Sequence, residues 1–212
     1  TLPGTALPSI PAWHCARNPT DQGPNVVIWR SSHGGDVGIK LQMDLTKFIR
    51  DVPDFPEPGI LFKDITPLLG DATAFDHTIS MLVERYKGAD IDAIVPVESR
   101  GFLFGAPLAR ELGKAIVPVR KPGKLPAATL SVDYELEYGT NTMEIHADGL
   151  ERGQKVLILD DLLATGGTLA ASAQLVEMAG GTVTEIGVII ELLFLEGRKN
   201  LAGHEIYSMI QY

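Results

Sequence analysis

From residue 43 onward, apolar residues follow two alternating rhythms. Short continuous runs recur: IDAIVPVE at 91–98, KAIVPVRK at 114–121, VLIL at 156–159, TVTEIGVIIEL at 182–192 and HEIYSMIQY at 204–212. Runs of this length, rich in Val and Ile, predict strands buried on both faces. Between them, apolar residues fall at helical spacing. Residues 71–88 predict a helix capped by Asp71 and stopped by Gly88, and residues 99–113 a turn and a helix ending at Gly113. LAASAQLVEMAG at 169–180 and FLEGRKNLAG at 194–203 predict two more. Residues 45–52 predict a short helix stopped by Pro53, followed by a proline-punctuated loop to Gly70. Two alternating runs, YELEY and TNTMEIH, flank Gly139 and predict a hairpin inserted between strands. Strands alternating with helices imply an α/β fold, a mostly parallel twisted sheet flanked by helices.

Residues 1–42 follow neither rhythm beyond a short NVVIW run. They hold both tryptophans, the single cysteine, five prolines and five glycines, and carry two acids against three bases. Residues 43–212 carry 25 acids and 15 bases. The reading is therefore a 1–42 extension and a 43–212 catalytic unit. The extension is a non-native upstream segment with the natural start at Met43, a disordered natural extension, or a transit peptide poor in Arg and Ser.

The net charge of −9 argues against a general nucleic-acid binder, and no apolar run approaches the roughly 18–20 residues needed to span a membrane. The lone Cys15 precludes an internal disulfide and fits a reducing compartment, here the cytoplasm.

Parallel sheets bind ligands outside the carboxyl ends of their strands. Three loops belong there: Glu98-Ser99-Arg100-Gly101, the turn from Lys121 to Leu125, and residues 160–168. In the last, Ala164-Thr165-Gly166-Gly167-Thr168 precedes a helix, so its amides and two hydroxyls suit a phosphate. Asp160 and Asp161 come just before it, where the strand is expected to end. A carboxylate accepts and vicinal sugar hydroxyls donate, so an acid pair beside a phosphate nest suits a ribose 5-phosphate. Adjacent strand residues point to opposite faces, so both acids reach one ligand only if the chain turns there. His77, His146 and His204 lack metal-ligand spacing and read as structural.

VLILDDLLATGGT resembles the phosphoribosyl-diphosphate (PRPP) motif of the type I phosphoribosyltransferases. PDFPEPGILFKDITPLL, ESRGFLFG, VRKPGKLP and YELEYG, in this order, resemble the adenine-specific family within them, over about residues 44–212. The resemblance implies the type I fold, with a small hood and a flexible hairpin loop. It implies transfer of the phosphoribosyl group from PRPP to N9 of adenine, giving AMP and diphosphate through an oxocarbenium-like transition state with inversion at C1′.

By the same resemblance, Ala164, Thr165, Gly166, Gly167 and Thr168 bind the 5′-phosphate, and Asp160 and Asp161 the ribose hydroxyls. Glu98, Ser99 and Arg100 form the diphosphate loop, where the family often has a cis peptide, and Lys121 and Lys124 lie near the leaving group. Pro122 stands where some members have a basic residue. Arg100 and Glu137 are the catalytic residues: the guanidinium stabilises the leaving diphosphate, and the carboxyl handles a proton at N7 while N9 attacks. Tyr138 closes over the site. Leu61 and Lys63 read adenine through their backbone; Phe62 is either a stacking surface or a core anchor, and Leu162 lines the pocket or merely packs. Mg²⁺ arrives chelated by PRPP, with no direct protein ligand expected, and a homodimer is expected. Two alternatives remain: an enzyme of this fold for another purine, such as xanthine or hypoxanthine, and a PRPP-sensing regulator.

Overall fold

The computed structural model describes residues 26–28, 39–41, 43–135 and 140–212. Within the first 42 residues, β1 (Val26–Ile28) and β2 (Ile39–Leu41) pair antiparallel, an element the apolar pattern did not predict.

The expected helix at 45–52 is half right. A 3-10 turn, Leu45–Phe48, is capped by the Asp44 carboxylate, and the chain then extends into β3 (Arg50–Pro53). β3 pairs antiparallel with β4 (Leu61–Asp64), inside the segment expected to be a loop. Ion pairs across this hairpin, Lys63 to Asp51 at 2.6 Å and Arg50 Nε to Asp64 at 3.0 Å, favour the extended pairing. This hairpin forms the small hood.

Helix α1 (Thr66–Gly70) leads to α2 (Ala72–Tyr86), whose N-terminus is capped as expected: the Asp71 carboxylate accepts from the Thr73 and Ala74 amides. Then follow β5 (Ala93–Pro96), α3 (Gly101–Leu112), β6 (Ala115–Ile116), β7 (Thr129–Glu135), β8 (Thr140–His146), β9 (Lys155–Leu163), α4 (Gly167–Met178), β10 (Thr182–Glu191) and β11 (Ile206–Gln211). The expected helix at 194–203 is two 3-10 segments, Leu193–Leu195 and Gly197–Leu201.

Five strands form one parallel sheet in the order β11-β10-β9-β5-β6. Alternate residues face opposite layers, as a period of two requires. Val95, Ile158 and Val188 pack against α4 and the β7–β8 hairpin through Leu175, Val176, Met143 and Ile145. Ile94, Leu157 and Ile189 pack against α2 and α3 through Leu82, Phe104 and Leu108. The β7–β8 hairpin is antiparallel and docks on the sheet through paired backbone bonds between Arg120 and Glu144, 2.8 and 2.7 Å. Its turn, with Glu137 and Tyr138, lies outside the described residues.

Candidate active site

The carboxyl ends of β5 and β9, with the start of α4, surround a cavity of about 380 Å³. Its walls are Glu98-Ser99-Arg100, Lys121, Asp160-Asp161-Leu162 and Ala164 to Leu169. The three loops expected to converge do so, and Leu162 faces the cavity.

β9 runs further than its apolar run implies. Pairing with β10 continues to Leu163, so both acids lie within the strand rather than at a turn beyond it. Both are buried and both line the cavity. The Asp160 carboxylate turns back to accept the Asp161 amide at 2.9 Å. Asp161 forms an ion pair with Arg100 Nε at 2.7 Å. Burial, and then the adjacent Asp161 charge, push the Asp160 pKa well above the carboxylate range. Burial also raises Asp161, opposed by the Arg100 guanidinium. The free site is thus a poor place for two bare negative charges, and hydroxyl donors or a cation relieve it.

Gly101 lets Arg100 approach these acids. A Cβ on Gly101 would lie 2.5 Å from the Leu159 carbonyl oxygen and 3.1 Å from Asp160 Oδ1. Glu98 does not cap α3. Its carboxylate accepts from Arg120 Nε at 3.1 Å and from the Lys121 amide at 2.9 Å, which fixes the turn carrying Lys121. Burial pushes the Glu98 pKa up, but the Lys121 amide and the Arg120 guanidinium outweigh it and hold the group below its usual range. The Glu98–Ser99 peptide is cis. Lys121 lines the cavity; Lys124 does not, and its carbonyl instead accepts from Arg120 Nη1 at 3.1 Å.

Among the described residues, no side chain caps the N-terminus of α4. The first amides of a helix have no intrahelical partner, so those of the glycine loop face the cavity available to an anion. The loop is braced from below. Asn200 Nδ2 donates to the Thr165 carbonyl at 2.8 Å. Gly197 fits so closely that an added Cβ would lie 2.2 Å from the Ala164 carbonyl oxygen. On the hairpin side, the Tyr134 hydroxyl meets Thr168 Oγ1 at 2.9 Å. Sequence reading missed Gly197, Asn200 and Tyr134, because their part depends on contacts 34 or 35 residues away along the chain in two of the three cases.

Leu61, Phe62 and Lys63 lie outside this cavity wall, on the hood. The Lys63 ammonium is occupied by Asp51 and by the Tyr212 ring, 3.8 Å from its centroid. That leaves the backbone of β4 as the feature Lys63 offers a ligand. Phe62 packs edge-on to Phe55 with ring centroids 5.1 Å apart, and its face lies 5.5 Å from the Arg100 guanidinium carbon. It therefore connects hood and cavity. Among the described residues, His77 and His146 bury Nε2 without a hydrogen-bond partner, and neither lines the cavity. Among the described residues, no three His, Cys, Asp or Glu side chains are grouped to hold a metal ion, and no helix is long and apolar enough to cross a membrane.

A family model for the phosphoribosyl transferase domain matches residues 70–202. The adenine phosphoribosyltransferase of Chloroflexus aurantiacus is 57% identical over 171 residues, 81% of this chain and 99% of that protein. The crystal structure of adenine phosphoribosyltransferase from Thermoanaerobacter pseudethanolicus aligns with a TM-score of 0.77 at 58% identity, covering 79% of this chain and 98% of that one. The Saccharomyces cerevisiae enzyme, solved with an imino-altritol bisphosphate and adenine, aligns with a TM-score of 0.73 at 40% identity, over 78% of this chain and 96% of that one. Identity of this degree, sustained over nearly the whole of each of these relatives, places the chain in the phosphoribosyltransferase family, among the adenine phosphoribosyltransferases.

Proposed function

We propose that the protein transfers the 5-phosphoribosyl group of PRPP to N9 of adenine, releasing diphosphate and forming AMP. The observation that carries this reading is the single cavity that joins an uncapped helix N-terminus, two buried acids, Arg100 and Lys121. Each part meets one need of the reaction. The glycine loop holds the 5′-phosphate. Asp160 and Asp161 accept from the ribose hydroxyls, and their charge favours the cationic ribosyl centre that forms as the C1′–O bond to diphosphate breaks. Arg100 and Lys121 take up the charge that develops on the leaving group. N9 attacks from the opposite face of C1′, so configuration inverts, and Glu137 takes the proton at N7. Tyr138 covers the site and excludes water, which competes for a ribosyl cation. The base sits under the hood, read by the backbone of Leu61 and Lys63, with Phe62 against one side.

The donor set fits a divalent ion brought by the substrate. Among the described residues no three metal-ligating side chains are grouped, so Mg²⁺ would arrive already chelated by PRPP oxygens, without a protein ligand. It would supply charge neutralisation on the leaving diphosphate, beside Arg100 and Lys121. A homodimer and a cytoplasmic setting belong to this reading, the first from the family and the second from cysteine usage. Residues 43–212 form the catalytic unit, supported by the change in charge and composition at residue 43.

A base panel with PRPP and Mg²⁺ tests the function: adenine, hypoxanthine, guanine, xanthine and uracil, with each product identified. AMP from adenine alone is expected. Turnover of hypoxanthine or xanthine in preference to adenine moves the protein to another purine, and binding of PRPP without turnover of any base makes it a sensor. A chain starting at Met43 should react as the full chain does; lost activity assigns residues 1–42 a role.

A further inference from the structure

Thr168 is held at two points. Its carbonyl accepts from Ser172 Oγ at 2.7 Å, as a helix back-bond, and its hydroxyl meets the Tyr134 hydroxyl at 2.9 Å. Tyr134 belongs to β7, opposite Asn141 on β8, and is half-buried against the core that β9 and α4 share. Its ring is therefore fixed by packing, and only its oxygen reaches the loop. A hydroxyl has one proton and two lone pairs. A phosphate dianion only accepts, so a Thr168 hydroxyl that serves it must spend its one proton there. Its lone pairs then require a donor, and Tyr134 is the residue placed to supply one.

We infer that Tyr134 is a positioning residue for the 5′-phosphate: its O–H donates to Thr168 Oγ1 and aims the Thr168 proton at the ligand. The inference rests on the phosphate role proposed above for the glycine loop. Two consequences follow. The bond is cooperative, since the tyrosine polarises the threonine that the phosphate engages. It also ties the turn end of the β7–β8 hairpin to the phosphate loop, three residues before Glu137. Occupancy of the phosphate seat therefore bears on the strand that ends two residues before Glu137.

The test uses Tyr134→Phe, Thr168→Val and the double variant in the full chain. Phenylalanine keeps the packed ring and removes only the oxygen. Two readouts are taken: calorimetric binding of ribose 5-phosphate, which needs no turnover, and steady-state KM for PRPP and for adenine. Tyr134→Phe should weaken ribose 5-phosphate binding and raise the PRPP KM by roughly two- to tenfold, the size of one neutral hydrogen bond. The adenine KM should stay unchanged. In the Thr168→Val background, adding Tyr134→Phe should change nothing further, because its effect passes through that hydroxyl. A purely structural tyrosine would instead weaken both backgrounds equally, and that result overturns the inference. So does wild-type affinity in Tyr134→Phe. A wild-type chain that binds no ribose 5-phosphate removes the proposed function along with it.

Discussion

Glu191 ends β10 and is only 3% exposed, yet it is ionised. Arg198 binds it with both Nε at 2.6 Å and Nη2 at 2.7 Å, and Ser208 Oγ and Gln211 Nε2 donate to Oε2 at 2.6 and 3.1 Å. The Arg198 hydrogen bonds, against the opposing cost of burial and with help from Ser208 and Gln211, lower its pKa from 4.5 to about 2. At about 1.4 kcal/mol per pH unit, that drop corresponds to roughly 3 kcal/mol of stability. Because Arg198 is half-exposed, about 2–3 kcal/mol is the better expectation for Glu191→Gln, which keeps the shape and loses the charge. In a domain of this size that lowers Tm by about 5–10 °C at pH 7. The sign of the pH dependence is fixed. The folded pKa lies below the unfolded one, so the contribution is complete above pH 4.5 and disappears as pH falls toward 2. Urea unfolding of wild type and variant at pH 7, 5 and 4 should show a gap that is constant at the two higher values and begins to close at the lowest. A gap below about 0.5 kcal/mol at pH 7 would refute the reasoning. A functional consequence accompanies it. Arg198 lies between Gly197 and Asn200, the two residues that brace the glycine loop proposed to hold the 5′-phosphate, so Glu191→Gln should also raise the PRPP KM while leaving that for adenine alone.

Gly197→Ala places a methyl group 2.2 Å from the Ala164 carbonyl oxygen and must displace the loop; a rise in PRPP KM of about tenfold or more is expected, with native circular dichroism, and an unchanged KM would sink the bracing role. Asp160→Asn removes a buried acid whose pKa is raised, so at pH 7 the variant should melt higher than wild type, with the advantage shrinking as pH falls to about 4 and the wild-type acid protonates; PRPP turnover should fall sharply at the same time. A lower Tm at pH 7 would contradict the burial argument. Glu137→Leu should lower kcat by roughly 10²-fold or more with little loss of ribose 5-phosphate affinity; a normal kcat removes Glu137 from proton handling.

What the sequence disclosed divides along physical lines. The central strands were legible because burial on both faces leaves an unbroken apolar run, as in Val156–Leu159. The end of β9 was misjudged for the same reason: acids normally mark a strand's exit, but Asp160 and Asp161 continue its pairing while buried. The hood was misjudged because Leu45, Phe48, Ile49 and Val52 fall at helical spacing. The partner that extends Arg50–Pro53 is a strand beginning at Leu61, beyond the reach of local periodicity. The glycine loop, the acids and Arg100, which line one cavity, stood out in the sequence through motif chemistry. Their supports, Tyr134, Gly197, Asn200 and the Glu191–Arg198 pair, were not. Such residues look ordinary in sequence, and their role exists only where two distant segments touch. Glu191 alone left a trace, an acid closing the apolar run VIIE.

Arg100 stands where the two halves of the site meet. In the proposed reading the sheet and α4 supply a rigid seat for the sugar phosphate, whereas the base meets the hood, joined to that seat through Phe62. In the free protein one guanidinium serves both sides, paired with Asp161 through Nε and lying 5.5 Å from the centre of the Phe62 ring. A diphosphate drawing donors from Arg100 competes with Asp161 for the same charge. As that pairing weakens, the buried carboxylate needs another partner, and the ribose hydroxyls of the same substrate are the donors at hand. On that reading the leaving group and the sugar bind by linked exchanges, so PRPP should satisfy the seat as a whole where ribose 5-phosphate or diphosphate alone leaves one charge unanswered. In the proposed reading, specificity for the base is separable from this exchange, because it falls to the backbone of β4, which lies outside the cavity wall.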